Sequence, residues 1–251
     1  RINENPYLDN QLKQLEMQFN ATKQRLGNKF GTKKFIVYFQ SFTNTYAPIS
    51  TLKALYEKAL SFDNVIGLSI GTRTDCVTEE ILDYLVDLSK TKEIWVEYGI
   101  QSFYDETLVR VNRGDSVSNM KHWIKRTKEK GLNVCGHLIY GLPDETQEMM
   151  LDTFRQTVEL NVDSIKFHPL YVVENTLLTN EFKKGKFTPI SEELYIDTVV
   201  KSIVNLPSNI SVQRITAGID DSTLLSPNWC RDKHTQMKNI RLALEKEGFN
   251  Y

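Results

Sequence analysis

Asn133 to Tyr140 is a largely apolar run that stops at Gly141-Leu142-Pro143. A buried strand must leave its sheet through a turn before a helix can begin, and Gly and Pro supply that turn. Asp144 and Glu145 are then read as opening the next helix. The same unit recurs along the chain. Phe35 to Phe39, Val65 to Ile70, Ile94 to Tyr98, Ser164 to His168 and Val212 to Thr216 are further short strands. Between them, apolar residues return at helical spacing. Leu8, Leu12, Leu15 and Phe19 mark a helix over 6–27; Leu52, Leu55, Tyr56 and Ala59 mark a second; Ile81, Leu82, Leu85 and Leu88 mark a third, capped by Thr78. Residues 104–130 read as helical with a break near Gly114, and 145–160, 191–205 and 233–247 complete the series. Strands alternating with helices in this way form βα units with right-handed crossovers. The expected fold class is α/β, a partial (open) TIM-like barrel of parallel strands. A flat doubly wound sheet is the runner-up. No linker or low-complexity stretch divides the chain, so 1–251 reads as one domain, and Lys183-Lys184-Gly185-Lys186 reads as a short basic loop.

Composition excludes several classes. The net charge of −1 offers no global basic field for nucleic acid, though a local patch is compatible with it. No apolar run approaches the roughly 18 residues of a membrane span, and the polar start Arg1 to Pro6 lacks the apolar core of a signal peptide. The expected location is the cytoplasm, with no membrane partner. The three cysteines, Cys76, Cys135 and Cys230, are far apart in sequence. That spacing argues against a disulfide framework and against a zinc or iron-sulfur site made by this chain alone. Without an initiator Met, the chain is expected to begin partway through a longer protein.

In parallel α/β folds the ligand sits at the C-terminal ends of the strands. Those ends are polar here: Gln40 to Tyr46, Gly71 to Cys76, Glu97 with Gln101 and Ser102, Tyr140 to Asp144, His168 to Tyr171, and Arg214 with Thr216. Their convergence on one rim points to a small-molecule site. Glu97 and Gln101 are four residues apart, and a turn after Tyr98 would bring both to that rim. No Gly-x-Gly-x-x-Gly follows a strand, which counts against a dinucleotide. From residue types alone, Glu97 could equally form an ion pair with Arg113 or Arg73, Gln101 could cap the following helix, and His168 could be a core histidine. Trp229 and Cys230 read as packing residues.

Six segments together carry a family resemblance: Tyr38 to Pro48, Gly71 to Cys76, Glu97-Tyr98-Gly99-Ile100-Gln101-Ser102, Val111-Asn112-Arg113-Gly114, His137 to Pro143, and Lys166 to Leu170. The pattern resembles the radical S-adenosylmethionine (SAM) superfamily, in the bacterial branch related to the elongator catalytic subunit and to oxygen-independent coproporphyrinogen oxidase. The resemblance implies SAM and a [4Fe-4S] cluster as cofactors, and reductive cleavage of SAM to a 5′-deoxyadenosyl radical. It implies that the loop with Ser41, Thr43 and Asn44 holds the SAM amino group. Glu97 would approach the ribose or methionyl part, Gln101 would bond the ribose, and Arg113 would pair with the methionine carboxylate. The strand around Leu138, Ile139 and Tyr140 would lie against adenine, and Leu170 would belong to the same cofactor site. A guanidinium suits a carboxylate because it donates through a planar fork.

The first strand and the cysteine loop that carries the cluster in this family are missing from the chain, so the cluster ligands are expected upstream and the chain alone is expected to be inactive. Further partners implied are an electron donor such as flavodoxin or ferredoxin, and tRNA, through modification of the wobble uridine. Two other readings stay open: a TIM-barrel lyase or isomerase using Lys166 as an imine-forming lysine, and a non-catalytic SAM-binding protein.

Overall fold

The computed structural model describes residues 6–219 and 222–249. Helix α1 (Pro6–Phe30) leads to β1 (Phe35–Phe39), α2 (Ile49–Leu60), β2 (Val65–Thr72), α3 (Glu79–Ser89), β3 (Glu93–Gln101), α4 (Asp105–Arg110), α5 (Val117–Glu129), β4 (Asn133–Tyr140), α6 (Gln147–Glu159) and β5 (Ser164–Pro169). Then come β6 (Val172–Val173), α7 (Leu177–Lys183), α8 (Glu192–Val204), β7 (Ser211–Arg214), β8 (Leu224–Ser226) and α9 (Lys233–Lys246). Six strands form one sheet in the order β1-β2-β3-β4-β5-β7, while β6 and β8 form a separate antiparallel ribbon. The pairs β1–β2, β4–β5 and β5–β7 are parallel.

All six sheet strands lie where the apolar runs put them, with shifted ends. β3 runs on to Gln101, so no turn follows Tyr98, and residues 97, 99 and 101 share one face by strand alternation. β7 stops at Arg214, short of Thr216. The helix expected from 145 starts at Gln147, because the Thr146 hydroxyl accepts from the Met149 N–H and sets the cap there. Thr78 caps α3 as expected. Residues 111–116 separate α4 from α5, with Gly114 at φ +66. The Lys183 to Lys186 stretch is loop only in part: Lys183 ends α7 and Gly185 turns the chain at φ +65. β6, α7 and β8 were not expected.

The backbone divides into two compact units, Arg1–Glu97 with Arg126–Asn133, and Tyr98–Lys125 with Val134–Tyr251. In the first, Leu52, Tyr56 and Ala59 of α2 are buried with Leu68 and Ile70 of β2 and Leu82 and Leu85 of α3. Phe19 of α1 stacks on Phe62 with ring centroids 4.5 Å apart. In the second, Phe167 of β5 packs between Tyr140 of β4 (5.4 Å) and Phe154 of α6 (6.2 Å). The Tyr140 hydroxyl bonds Ser202 of α8 at 2.8 Å.

Asp163 ties three strand starts of the second unit together. Its carboxylate accepts from the Val134 N–H at 2.7 Å, and its own N–H donates to the Val134 carbonyl at 2.9 Å. Its carbonyl accepts from the Ser211 N–H at 3.0 Å. The resulting register sets His137 beside Lys166, Ile139 beside His168, and Lys166 beside Arg214. Leu138 and Tyr140 point into the core, so His137 and Ile139 face the opposite side of the sheet. Asp163→Ala is expected to cost about 2 kcal/mol, because a strand-end N–H loses its acceptor. Asp163→Asn, which keeps a carbonyl oxygen in place, should cost less; urea unfolding of both variants checks this.

Candidate active site

The second unit holds a cavity of about 340 Å³ whose lining includes Gln101, Asn112, Ile139, Leu142, Leu170 and Tyr171. Three of the sequence-predicted residues, Gln101, Ile139 and Leu170, thus line one space. They arrive from three strand ends: β3, β4 and the residue after β5. The Leu170 N–H donates to the Tyr140 carbonyl at 2.9 Å, which fixes the position of Leu170. Tyr140 itself is fully buried with its side chain in the core, so it has only backbone to offer a ligand. Gln101 has a left-handed backbone, φ +69. Five of the seven non-glycine residues with positive φ among those described are Asn or Asp, the side chains that tolerate it best. The other two, Gln101 and Phe42, both lie in segments predicted to touch ligand.

Arg113 follows α4, and its N–H bonds the Leu108 carbonyl at 2.8 Å. Its guanidinium donates to the Gly99 carbonyl at 2.6 Å. A Cβ at Gly99 would come within 3.0 Å of that guanidinium, so glycine is what admits Arg113 to this face of β3. The far side of the cavity was not foreseen. Leu177, Leu178 and Glu181 of α7 contribute, and Arg110 links Glu181 (2.6 Å) to Asp144 (3.1 Å). The signal available was a short one, Thr176 as an N-cap ahead of Leu177, Leu178 and Phe182.

In the first unit, the loop after β1 is built around Asn44. Its side-chain amide donates to the carbonyls of Phe39 (3.0 Å) and Gly71 (2.9 Å), and its N–H donates to Gly71 as well (3.1 Å). Thr45 is buried, bonding Thr72 at 2.5 Å and the Cys76 carbonyl at 2.6 Å. Asn44 therefore shapes the loop, while Ser41 and Phe42 stand exposed and Thr43 is half-buried. Glu97 is buried and accepts a hydrogen bond from the Ser69 hydroxyl. Of the alternative partners considered for Glu97, Arg73 holds Asp75 at 2.6 Å. Trp229 and Cys230 pack as read: the indole N–H bonds the Ile190 carbonyl at 3.1 Å, its ring lies 5.3 Å from Tyr195, and Cys230 is fully buried.

His168 carries a depressed pKa. Burial, with Arg214 and His137 nearby, holds it down to about 4 from an ordinary 6.5, despite its Nδ1 contact with the Pro169 carbonyl at 2.6 Å. Between those values the unfolded chain takes up a proton that the folded one does not. Stability conferred by the neutral ring is present above about pH 6.5 and is lost as pH falls toward 4. The expected loss is about 2–3 kcal/mol. His168→Gln should flatten this part of the curve, read from urea midpoints at several pH values.

Comparison with known proteins places this geometry. Residues 11–157 match the radical SAM superfamily, and residues 162–246 match the radical SAM C-terminal domain. The chain is 33% identical over 242 residues to the uncharacterized protein YtqA of Bacillus subtilis, across 96% of this chain and 75% of that protein. It is 30% identical over 163 residues to a tRNA uridine(34) acetyltransferase of Methanocaldococcus infernus, across 64% of this chain and 30% of that one. The structure of the archaeal Methanocaldococcus infernus Elp3 with an N-terminal deletion superposes with a TM-score of 0.79 at 24% identity, covering 94% of this chain and 60% of that one. That likeness shows the fold: parallel strands alternating with helices in an open TIM-like barrel. With well over half its length matched by the family, the chain belongs to the radical SAM superfamily of enzymes and is related there to Elp3.

Proposed function

We propose that the full-length protein binds SAM at this site and cleaves it reductively, in the service of a tRNA wobble-uridine modification. The observation that carries the cofactor reading is the cavity shared by Gln101, Ile139 and Leu170, where apolar walls stand beside the amides of Gln101 and Asn112. An amide that both donates and accepts suits a ribose diol, and apolar walls suit an adenine face. Arg113 is read as pairing with the methionine carboxylate, Glu97 as approaching the ribose or methionyl part, the backbone of Tyr140 as meeting the adenine edge, and the loop of Ser41, Thr43 and Asn44 as holding the amino group. The kinship with a tRNA uridine(34) acetyltransferase supports the substrate class. Residues 1–251 are taken to act as one domain, and an electron donor such as flavodoxin or ferredoxin is the implied partner, in the cytoplasm. No described helix is long and apolar enough to cross a membrane.

The cluster that the family uses is held by cysteine thiolates. This chain's cysteines do not fit that role. Cys135 and Cys230 are fully buried, and burial together with Glu192 pushes the Cys230 thiol up to about 12. A ligand thiol must instead be deprotonated at neutral pH. Cys76 is half-exposed and contacts the Asp75 carboxylate at 3.6 Å. The cluster ligands are accordingly assigned to residues outside the chain, and residues 1–251 alone are proposed to bind SAM without cleaving it.

The test is anaerobic incubation of full-length protein with SAM and a strong reductant. Formation of 5′-deoxyadenosine by the full-length protein, and none by residues 1–251, is expected; its absence from the iron-loaded full-length protein overturns the reading. Arg113→Ala is expected to weaken SAM binding by about 2–4 kcal/mol with little change in melting temperature. A lowered melting temperature with unchanged SAM affinity, by titration calorimetry, would instead make Arg113 a purely structural residue.

A further inference from the structure

Arg214 is unlike the other partly buried arginines. Arg73 and Arg110 hold carboxylates at 2.6 Å. Arg113 and Arg231 donate to carbonyls at 2.6 and 2.5 Å. Arg214, at the end of β7, shares with Arg113 a buried Nε without an acceptor, but unlike Arg113 it has neither a carbonyl nor a carboxylate partner among the described residues. The register irregularity between Ile165 and Lys166 sets it beside Lys166. Tyr171 is the second anomaly: its hydroxyl is buried and also has no partner among the described residues. Its ring meets His168 edge-on, with centroids 4.6 Å apart. The Nδ1 of His168 is committed to the Pro169 carbonyl, so Nε2 is the ring's remaining polar atom. Arg214 pairs with Lys166, which shares a face of β5 with His168 two residues on, and so Arg214 lies on the side of the sheet where His168 meets Tyr171. Tyr171 also lines the cavity with Gln101, Ile139 and Leu170.

Two buried donors without acceptors are a standing cost that an incoming acceptor removes. We propose that Arg214 and Tyr171 form a subsite for an oxyanion of the substrate, a phosphate or a carboxylate, beside the cofactor cavity, with the His168 ring as its neighbour. The proposal rests on the function proposed above only in taking the occupant to be substrate. The guanidinium supplies a charged fork, which suits both oxyanions. The phenol supplies a single donor. The neutral imidazole lies against the Tyr171 ring and so reports on an anion held there.

The test is titration of the protein with inorganic phosphate, uridine 5′-monophosphate and acetate, following the His168 ring resonance by NMR. That resonance is the one missing from His168→Gln. A saturable shift is expected, with affinity falling about tenfold in Arg214→Gln, less in Arg214→Lys, and severalfold in Tyr171→Phe. SAM affinity in Arg214→Gln should be unchanged. A response to the phosphates alone assigns a phosphoryl group, and a response to acetate alone assigns a carboxylate. No saturable shift with any of the three, or unweakened binding in a folded Arg214→Gln, overturns the subsite. Equal loss of SAM and anion affinity in Arg214→Gln also overturns it, because the group would then belong to the cofactor site. Failure of the parent protein to bind SAM, with anion binding intact, counts against the cofactor reading and leaves the subsite standing.

Discussion

The chemistry-bearing face of the second unit depends on strand register, and register there depends on Asp163. Its carboxylate and backbone bond Val134 and Ser211, so the starts of β4, β5 and β7 are held level by one residue. Side chains alternate along a strand, and a slip of one residue would send every inward group to the opposite face. His137, Ile139, Lys166 and His168 would then exchange places with Leu138, Tyr140 and Phe167, which are wholly buried. Burying that ring cluster therefore fixes the polar face as a by-product. Each such ring withdraws enough apolar surface to contribute about 2 kcal/mol, so the polar face is held in register by packing it does not itself provide.

The barrel was legible because its strands are short apolar runs closed by Gly, Pro or polar loops, and its helices carry a 3.6-residue repeat. Asn133–Tyr140 is a strand from end to end as read. The misreadings have local causes. Leu138, Ile139 and Tyr140 are all apolar, so periodicity could not say that Tyr140 turns inward while Ile139 faces the cavity. Tyr98-Gly99 looked like a turn because glycine breaks strands on average; here glycine stays in β3 and makes room for the Arg113 guanidinium. The ribbon of β6 and β8 has strands of two and three residues, too short for any repeat to register. α7 is seven residues long and gave only a cap and a leucine pair. The unpaired groups Arg214 and Tyr171 were visible as polar strand ends, but their lack of partners exists only in three dimensions.

The loop after β1 and the cavity of the second unit differ in what they present. In the loop after β1 the Asn44 amide is spent on the carbonyls of Phe39 in β1 and Gly71 in β2, while Ser41 stands exposed and Thr43 half-buried. The cavity of the second unit does the reverse, presenting apolar side chains with Gln101, Tyr171 and Arg110 at its border.

Gln101 closes β3 in a conformation that most side chains avoid. Glycine would sit there without a Cβ penalty, and the strand would end as cleanly. The folded state therefore gains nothing from a long amide at this point and gives up a little backbone comfort to keep it. Local strain of this kind survives only when the surrounding structure dictates it, and it gathers where molecules are gripped. The torsion of a single residue thus marks a point where backbone comfort is given up, and that point lies on the wall of the cavity.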